Sequence, residues 1–196
     1  VARSQIATLE ISAALFNQDQ PQQDALPVLQ SLIRKHDVRV ASIHARFGQA
    51  YDMSALDDQT YEQALRSTRA AIDLAVELEA GIVVAHASAE PVTPAERSTR
   101  LARARSALAQ IEEWSRQAGV QIAMELLPRT CLSNTVEELF LLLQGRDEAV
   151  FGVCLDTNHL MDRYQTLGQT VLSLGDRLIT LHMSDYDGVD EQHALP

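Results

Sequence analysis

Apolar runs of about half a dozen residues recur along this chain, and five of them close on a single histidine or acid just before a polar stretch. They are VRVASIH ending at His44, GIVVAH at His86, VQIAME at Glu125, FGVCLD at Asp156 and RLITLH at His182. With IATLEI near the start, these runs predict six strands, at about 6–11, 38–43, 81–86, 120–125, 150–155 and 177–182. Their continuous apolar character suits strands covered on both faces.

Helical periodicity fills the gaps. One amphipathic stretch ends near His36, a second covers about 60–80 and a third about 94–119. Thr93-Pro94 with Glu96 predicts a capped start with proline at the first helical position, and Thr135 with Glu138 has the same cap spacing. Gly81 and Gly119 are the expected helix stops. Strands therefore start about every 30–43 residues with a helix between them, which implies parallel strands joined by crossovers. No glycine-rich phosphate loop follows any strand, and polar residues at five separate strand ends suit a closed barrel better than an open sheet. A (β/α)8 barrel usually takes about 250 residues. Six units in 196 residues fall two short, which predicts one barrel domain over 1–196 that is a fragment or has lost its ends.

Composition narrows the chemistry. The chain is 46% hydrophobic and 5% aromatic, as expected of an Ala/Leu/Val-rich α/β protein. A net charge of −11 with only 16 Lys plus Arg argues against a nucleic-acid partner, since that affinity rests on basic side chains. No apolar run reaches the length of a membrane span, and no signal-peptide pattern is visible, so a cytoplasmic setting is expected. Cys154 falls inside a strand and reads as a small core residue, and Cys131 falls in a loop, so no disulfide framework is expected.

Glu125, Asp156 and His182 form a mixed oxygen and nitrogen donor set suited to Mn²⁺, Mg²⁺, Co²⁺ or Zn²⁺. One such divalent ion could polarise a carbonyl as a Lewis acid while a carboxylate moves a proton on the adjacent carbon. His159 follows Asp156 by three residues and can reach the same mouth, as a second ligand or as a donor to a substrate hydroxyl. His44 and His86 are expected to face substrate or an additional ion, and Asp185 and His193 to lie in the loop after His182, with Glu191 a solvated loop acid. His36 ends a helix beside Arg34 and Lys35, where a cation complements the helix dipole, and is given no role.

The strings IAMELLPR, GVCLDTNHL and LHMSDYDGVDEQHALP resemble the xylose isomerase-like barrel superfamily, which includes sugar isomerases and epimerases as well as endonuclease IV. The resemblance runs from the second barrel strand to the seventh, which implies that the single domain over 1–196 is a fragment lacking the first and last strands. It implies that Glu125, Asp156 and His182 bind the metal, with a further ligand on an eighth strand that has no match before Leu195-Pro196. It implies that Glu125 also acts as acid or base and that Arg129 and His159 hold substrate hydroxyls; with His44, His86 and His193 these make up the expected contacts to a sugar or polyol. The ketose 3-epimerases carry a second Glu where this chain has Cys131, and an Arg where it has Tyr186-Asp187-Gly188, so a neighbouring isomerase or dehydratase activity fits equally. Two other readings stay open: an endonuclease IV-like multi-zinc phosphodiesterase, and a non-catalytic sugar-binding relative. A homo-oligomer is common in such families.

Overall fold

A computed structural model describes residues 6–16 and 25–190. Among these residues six strands form one sheet in the order β1 to β6: Thr8–Ser12, Arg39–His44, Ile82–Ala85, Gln121–Leu126, Phe151–Asp156 and Leu178–His182. Every neighbouring pair is parallel, so each strand returns to the same edge through a crossover and the sheet curls into a half-barrel. Helices α1 (Ala25–His36), α2 (Asp58–Glu77), α3 (Arg97–Ala118), α4 (Val136–Leu143) and α5 (Leu167–Leu174) supply the crossovers, with 3-10 turns between. All six expected strands are present, and so are the three long helices. Among the described residues no helix is long and apolar enough to cross a membrane.

Alternation sorts the side chains. Val83 and Ala85 of β3, Ile122, Met124 and Leu126 of β4, and Phe151, Val153 and Leu155 of β5 join the main core between sheet and helices. The helices answer with small residues at helical spacing, Ala64, Ala71 and Ala75 on α2 and Ala104 and Ala107 on α3, the last two followed by the larger Ile111. The opposite parity faces the barrel interior, where Val84, Ala123 and Cys154 form a small second cluster with Ile82 and Ile179. On β3 to β5 this parity carries His86, Glu125 and Asp156 inward at the C-terminal ends.

His44 and His182 need an extra device. Val40 and Leu178 pack on the helix side, so plain alternation would send His44 and His182, four residues on, the same way. A one-residue register shift prevents this in each strand. Leu9 pairs with Val40 but Glu10 with Ser42, which makes Ala41 the extra residue of β2. Val153 pairs with Leu178 but Cys154 with Thr180, which makes Ile179 the extra residue of β6. Each bulge rephases its strand and turns the terminal histidine inward. Gly152 makes room for the second bulge, because a Cβ there would lie 2.5 Å from the Ile179 side chain.

Of four boundary expectations two hold and two shift. The Thr135 hydroxyl does accept from the Glu138 N–H at 3.2 Å, and Gly119 closes α3 in the left-handed conformation. The α2 stop is not Gly81: the helix ends at Glu77, and Glu79 takes the positive φ of 56°. Thr93 does not cap α3 either: its carbonyl accepts from the Glu96 N–H at 3.1 Å within the turn that precedes the helix. Its hydroxyl hydrogen-bonds the Glu96 side chain at 3.1 Å, residues 94–96 form a turn, and the helix begins at Arg97.

Candidate metal centre and active site

The inward-facing residues meet in one cavity of about 520 Å³ at the C-terminal ends of the strands. His44, His86, Glu125, Asp156, His159 and His182 all line it, and Arg129 stands in its wall. His193 and Glu191 lie outside the described residues. His36 is exposed at the end of α1, outside the cavity lining.

Glu125 is the centre. It is 1% exposed, no lysine or arginine among the described residues pairs with it, and both of its oxygens face imidazoles. Oε2 lies 2.8 Å from His86 Nε2 and 3.4 Å from His44 Nε2. Oε1 lies 3.1 Å from His182 Nδ1 and 3.4 Å from His159 Nδ1. Burial works to raise the Glu125 pKa, but the imidazoles of His182, His44 and His86 outweigh it and hold the carboxyl well below its ordinary range. The same exchange runs in reverse on the histidines. Burial would lower His44, yet Glu125 raises it, whereas at His86 burial prevails and the pKa falls. Cys154, Glu10 and Glu125 together raise His182.

Two backbone carbonyls fix tautomers, because a carbonyl can only accept. His44 Nδ1 donates to Ala45 O at 2.8 Å, and His159 Nδ1 donates to Leu126 O at 2.8 Å. In the neutral ring each Nε2 is then a bare lone pair. That of His44 faces Glu125 Oε2, and that of His159 faces Asp156 Oδ2 at 3.8 Å. Lone pairs directed at carboxylates call for a positive charge between them. Asp156 keeps a matching oxygen ready: its Oδ1 accepts from the Asn158 N–H at 2.8 Å, while Oδ2 looks into the site, 4.0 Å from His182 Nδ1. Donor atoms of Glu125, Asp156 and His159 lie within 4.8 Å of one another, and so do those of His44, Glu125 and His182. Oxygen and nitrogen donors in this arrangement fit a divalent ion of the Mn, Mg, Co or Zn kind.

The walls are held from behind. Arg97 grips the loop after β4, donating to Thr130 O at 3.0 Å, Cys131 O at 2.8 Å and the Glu138 carboxylate at 2.6 Å. Arg129 bridges Glu90, at 3.2 Å, and Asp190 across the rim. Cys131 is buried, and burial pushes its thiol up to about 11, so it offers no thiolate at neutral pH. Cys154, fully buried, is pushed up to about 12 by the same cause.

Sequence reasoning missed three lining or supporting residues. Glu10 sits in the middle of β1, not at its end, and reaches the cavity beside His182. Ser42 braces it across the strand pair at 2.6 Å. Phe47 follows β2 in a loop, where its ring lies 4.8 Å from that of His86 and 5.2 Å from that of His44. The one signal available was an acid interrupting the apolar TLEIS run.

Residues 6–196 match the family described as xylose isomerase-like TIM barrel. Among solved structures, the chain resembles a D-tagatose 3-epimerase-like protein (TM-score 0.85, 23% identity, covering 98% of this chain and 72% of that one). It also resembles a D-allulose 3-epimerase from Methylomonas sp. in complex with D-allulose (TM-score 0.78, 22% identity, 97% and 67%). An L-ribulose 3-epimerase matches at a TM-score of 0.76 and 20% identity, covering 94% of this chain and 63% of that one. At these identities the likeness establishes the fold. The chain thus spans roughly two thirds of the length of these neighbours. No curated protein matches it significantly.

Proposed function

The chain belongs to the xylose isomerase-like TIM-barrel family, and from that premise we propose that it is a metal-dependent sugar or polyol isomerase or epimerase, acting by proton transfer beside a carbonyl. One observation carries the reading: a fully buried carboxylate, Glu125, ringed by four imidazoles on the floor of a cavity large enough for a monosaccharide. The similar structures with sugar-epimerase names support it.

Glu125, Asp156 and His182 would hold the divalent ion, which when bound supplies Lewis-acid polarisation of the substrate carbonyl. Glu125 takes the proton from the carbon next to that carbonyl, and the electron pair of the broken C–H bond passes to the carbonyl oxygen as an enediolate. Delivery of a proton to the opposite face of the same carbon by a water at the open mouth of the cavity inverts it, with Glu125 passing its proton to solvent; return of the proton from Glu125 to the former carbonyl carbon gives the isomer. His159 Nε2 accepts from one substrate hydroxyl, and Arg129 donates to another at the rim. His44 and His86 hold the carboxylate from the far side, and the low dielectric of the closed floor strengthens each contact.

Proton exchange tests this directly. The protein, purified without chelator and analysed for metal, is incubated with a panel of ketoses and aldoses in D₂O and followed by NMR. One ion per chain with deuterium at a carbon beside the carbonyl is expected. Failure to exchange any substrate in the presence of added Mn²⁺, Mg²⁺, Co²⁺ or Zn²⁺ would remove the assignment.

A multi-zinc phosphodiesterase is the second reading, and His44 with His86 favours it, because they present a separate nitrogen pair to Glu125 Oε2. The charge of the cavity opposes it. Among the described residues, Glu10, Glu90, Glu125 and Asp156 line the walls against the single arginine Arg129, so a phosphate would meet mostly carboxylates. Two or three zinc ions per chain and salt-sensitive DNA binding would reverse the order of the two readings.

A further inference from the structure

Glu10 has no part in the proton transfer just described, yet it lies against one of its central side chains. Its Oε1 is 3.0 Å from Nε2 of His182, on the opposite side of the ring from Nδ1, which faces Glu125 at 3.1 Å and Asp156 at 4.0 Å. Its other oxygen is taken, since Ser42 Oγ donates to Oε2 at 2.6 Å and is also its register partner on β2. Ser42 thus leaves only Oε1 to face the ring. His182 Nε2 is buried without an aligned hydrogen bond, so Glu10 is the acceptor at hand for it. The contact joins β1 to β6, which are the two ends of the sheet order and share no backbone pairing.

The chemistry of imidazole gives this contact a consequence. A neutral ring carries one N–H, and the nitrogen without it is the one that can bind a metal. Three carboxylates compete for the two nitrogens of His182. Glu125 and Asp156 converge on Nδ1 with donor atoms to spare for a cation, whereas Glu10, braced by Ser42, faces Nε2 alone. We propose that Glu10 is a positioning residue: it keeps the remaining proton of His182 on Nε2, so that Nδ1 presents its lone pair to the cation site between Glu125 and Asp156. A carboxylate behind a metal-bound imidazole also makes that imidazole a better donor. The inference rests on the metal-dependent reading above.

The test compares wild type with Glu10→Ala and Glu10→Gln in two measurements. Nitrogen-15 NMR follows the Nε2–H of His182 (assigned with His182→Gln) in the ion-free protein and after Zn²⁺ addition, and calorimetry measures Zn²⁺ affinity. Wild type is expected to show a slowly exchanging Nε2–H that persists with zinc bound. Glu10→Ala should lose that signal and bind Zn²⁺ about 10–100-fold more weakly. Glu10→Gln keeps an acceptor oxygen, so it should recover the signal with a smaller loss of affinity. A Glu10→Ala protein that binds Zn²⁺ within about twofold of wild type overturns the proposal, whatever its melting temperature, because a lower Tm alone would make Glu10 a mere tie between strands. So does loss of the Nε2 proton on zinc binding. If wild type takes up no Zn²⁺, the metal-dependent reading fails, and the Nε2–H signal in the ion-free variants then decides the role of Glu10 by itself.

Discussion

Asp52 and Glu125 are both buried carboxylates, at 6% and 1% exposure, yet their surroundings differ in kind. Asp52 is saturated. It pairs with the buried Arg100, accepts from the Ser54 N–H at 2.7 Å and hydroxyl at 2.6 Å, and accepts from the Ala89 N–H at 3.0 Å. Arg100 spends its other donors on Ser54 Oγ, Ala89 O and Pro91 O, so the network pins the loop after β3 and has nothing left to offer. Glu125 has only titratable partners, each with a second nitrogen, and it opens onto a cavity. A guanidinium closes a carboxylate's chemistry because it stays charged and donates along a fixed fork. Imidazoles leave it open, because each can yield its proton to an ion or a substrate.

Paired substitutions separate the two carboxylates most clearly. Glu125→Gln should lower turnover by about 10²–10⁴-fold and abolish tight ion binding while leaving a folded protein at neutral pH. Steady-state kinetics and calorimetry read the first two effects, and circular dichroism the third. Asp52→Ala should do the reverse. It strands the Arg100 charge, costs about 3–5 kcal/mol in urea unfolding, and affects turnover only through the loosened loop. Equal destabilisation by the two changes would erase the distinction.

Gly152→Ala sharpens it further, since the new methyl would collide with Ile179 at the β6 bulge. A cost of about 1–3 kcal/mol is expected, with weaker ion binding through a displaced His182. Acid and base titration separates the contributions at the site itself. The Glu125 pKa is depressed in the folded state, so its stabilisation holds above the unfolded value of about 4.3 and fades as pH falls through the folded value. His44 and His182 are raised, so theirs holds below about 6.5 and fades as pH climbs through their folded values. In the ion-free protein, urea unfolding should therefore show the largest gap between wild type and Glu125→Gln at about pH 4.3–6.5. The smallest effect belongs to His36→Ala on α1, which should change neither ion affinity nor turnover.

Much of the fold and of the site is legible in the amino-acid sequence. Runs such as FGVCLD and VQIAME are too apolar to be anything but covered strands, and the β-α period admits few topologies. The polar residues closing those runs are recognisable for the same reason, as breaks in an apolar pattern at a place where a barrel opens. The helix stop at Glu79 rather than Gly81 is not legible, because a non-glycine residue can take the left-handed position when the chain must turn there. Nor is the role of Glu10, because its carboxylate acts from mid-strand, and only the curl of the sheet carries β1 toward β6.

The chain by itself determined that six parallel strands would form and that Glu125, Asp156 and His86 would stand at their C-terminal ends, since hydrophobic burial follows a strict period of two. That same period sends His44 and His182 to the wrong face. Packing of the sheet overrides it, by inserting Ala41 and Ile179 as bulges where neighbouring strands had to stay in register. The tautomers of His44 and His159 were settled at the same level, because each is fixed by a carbonyl whose position depends on how the sheet and its loops close.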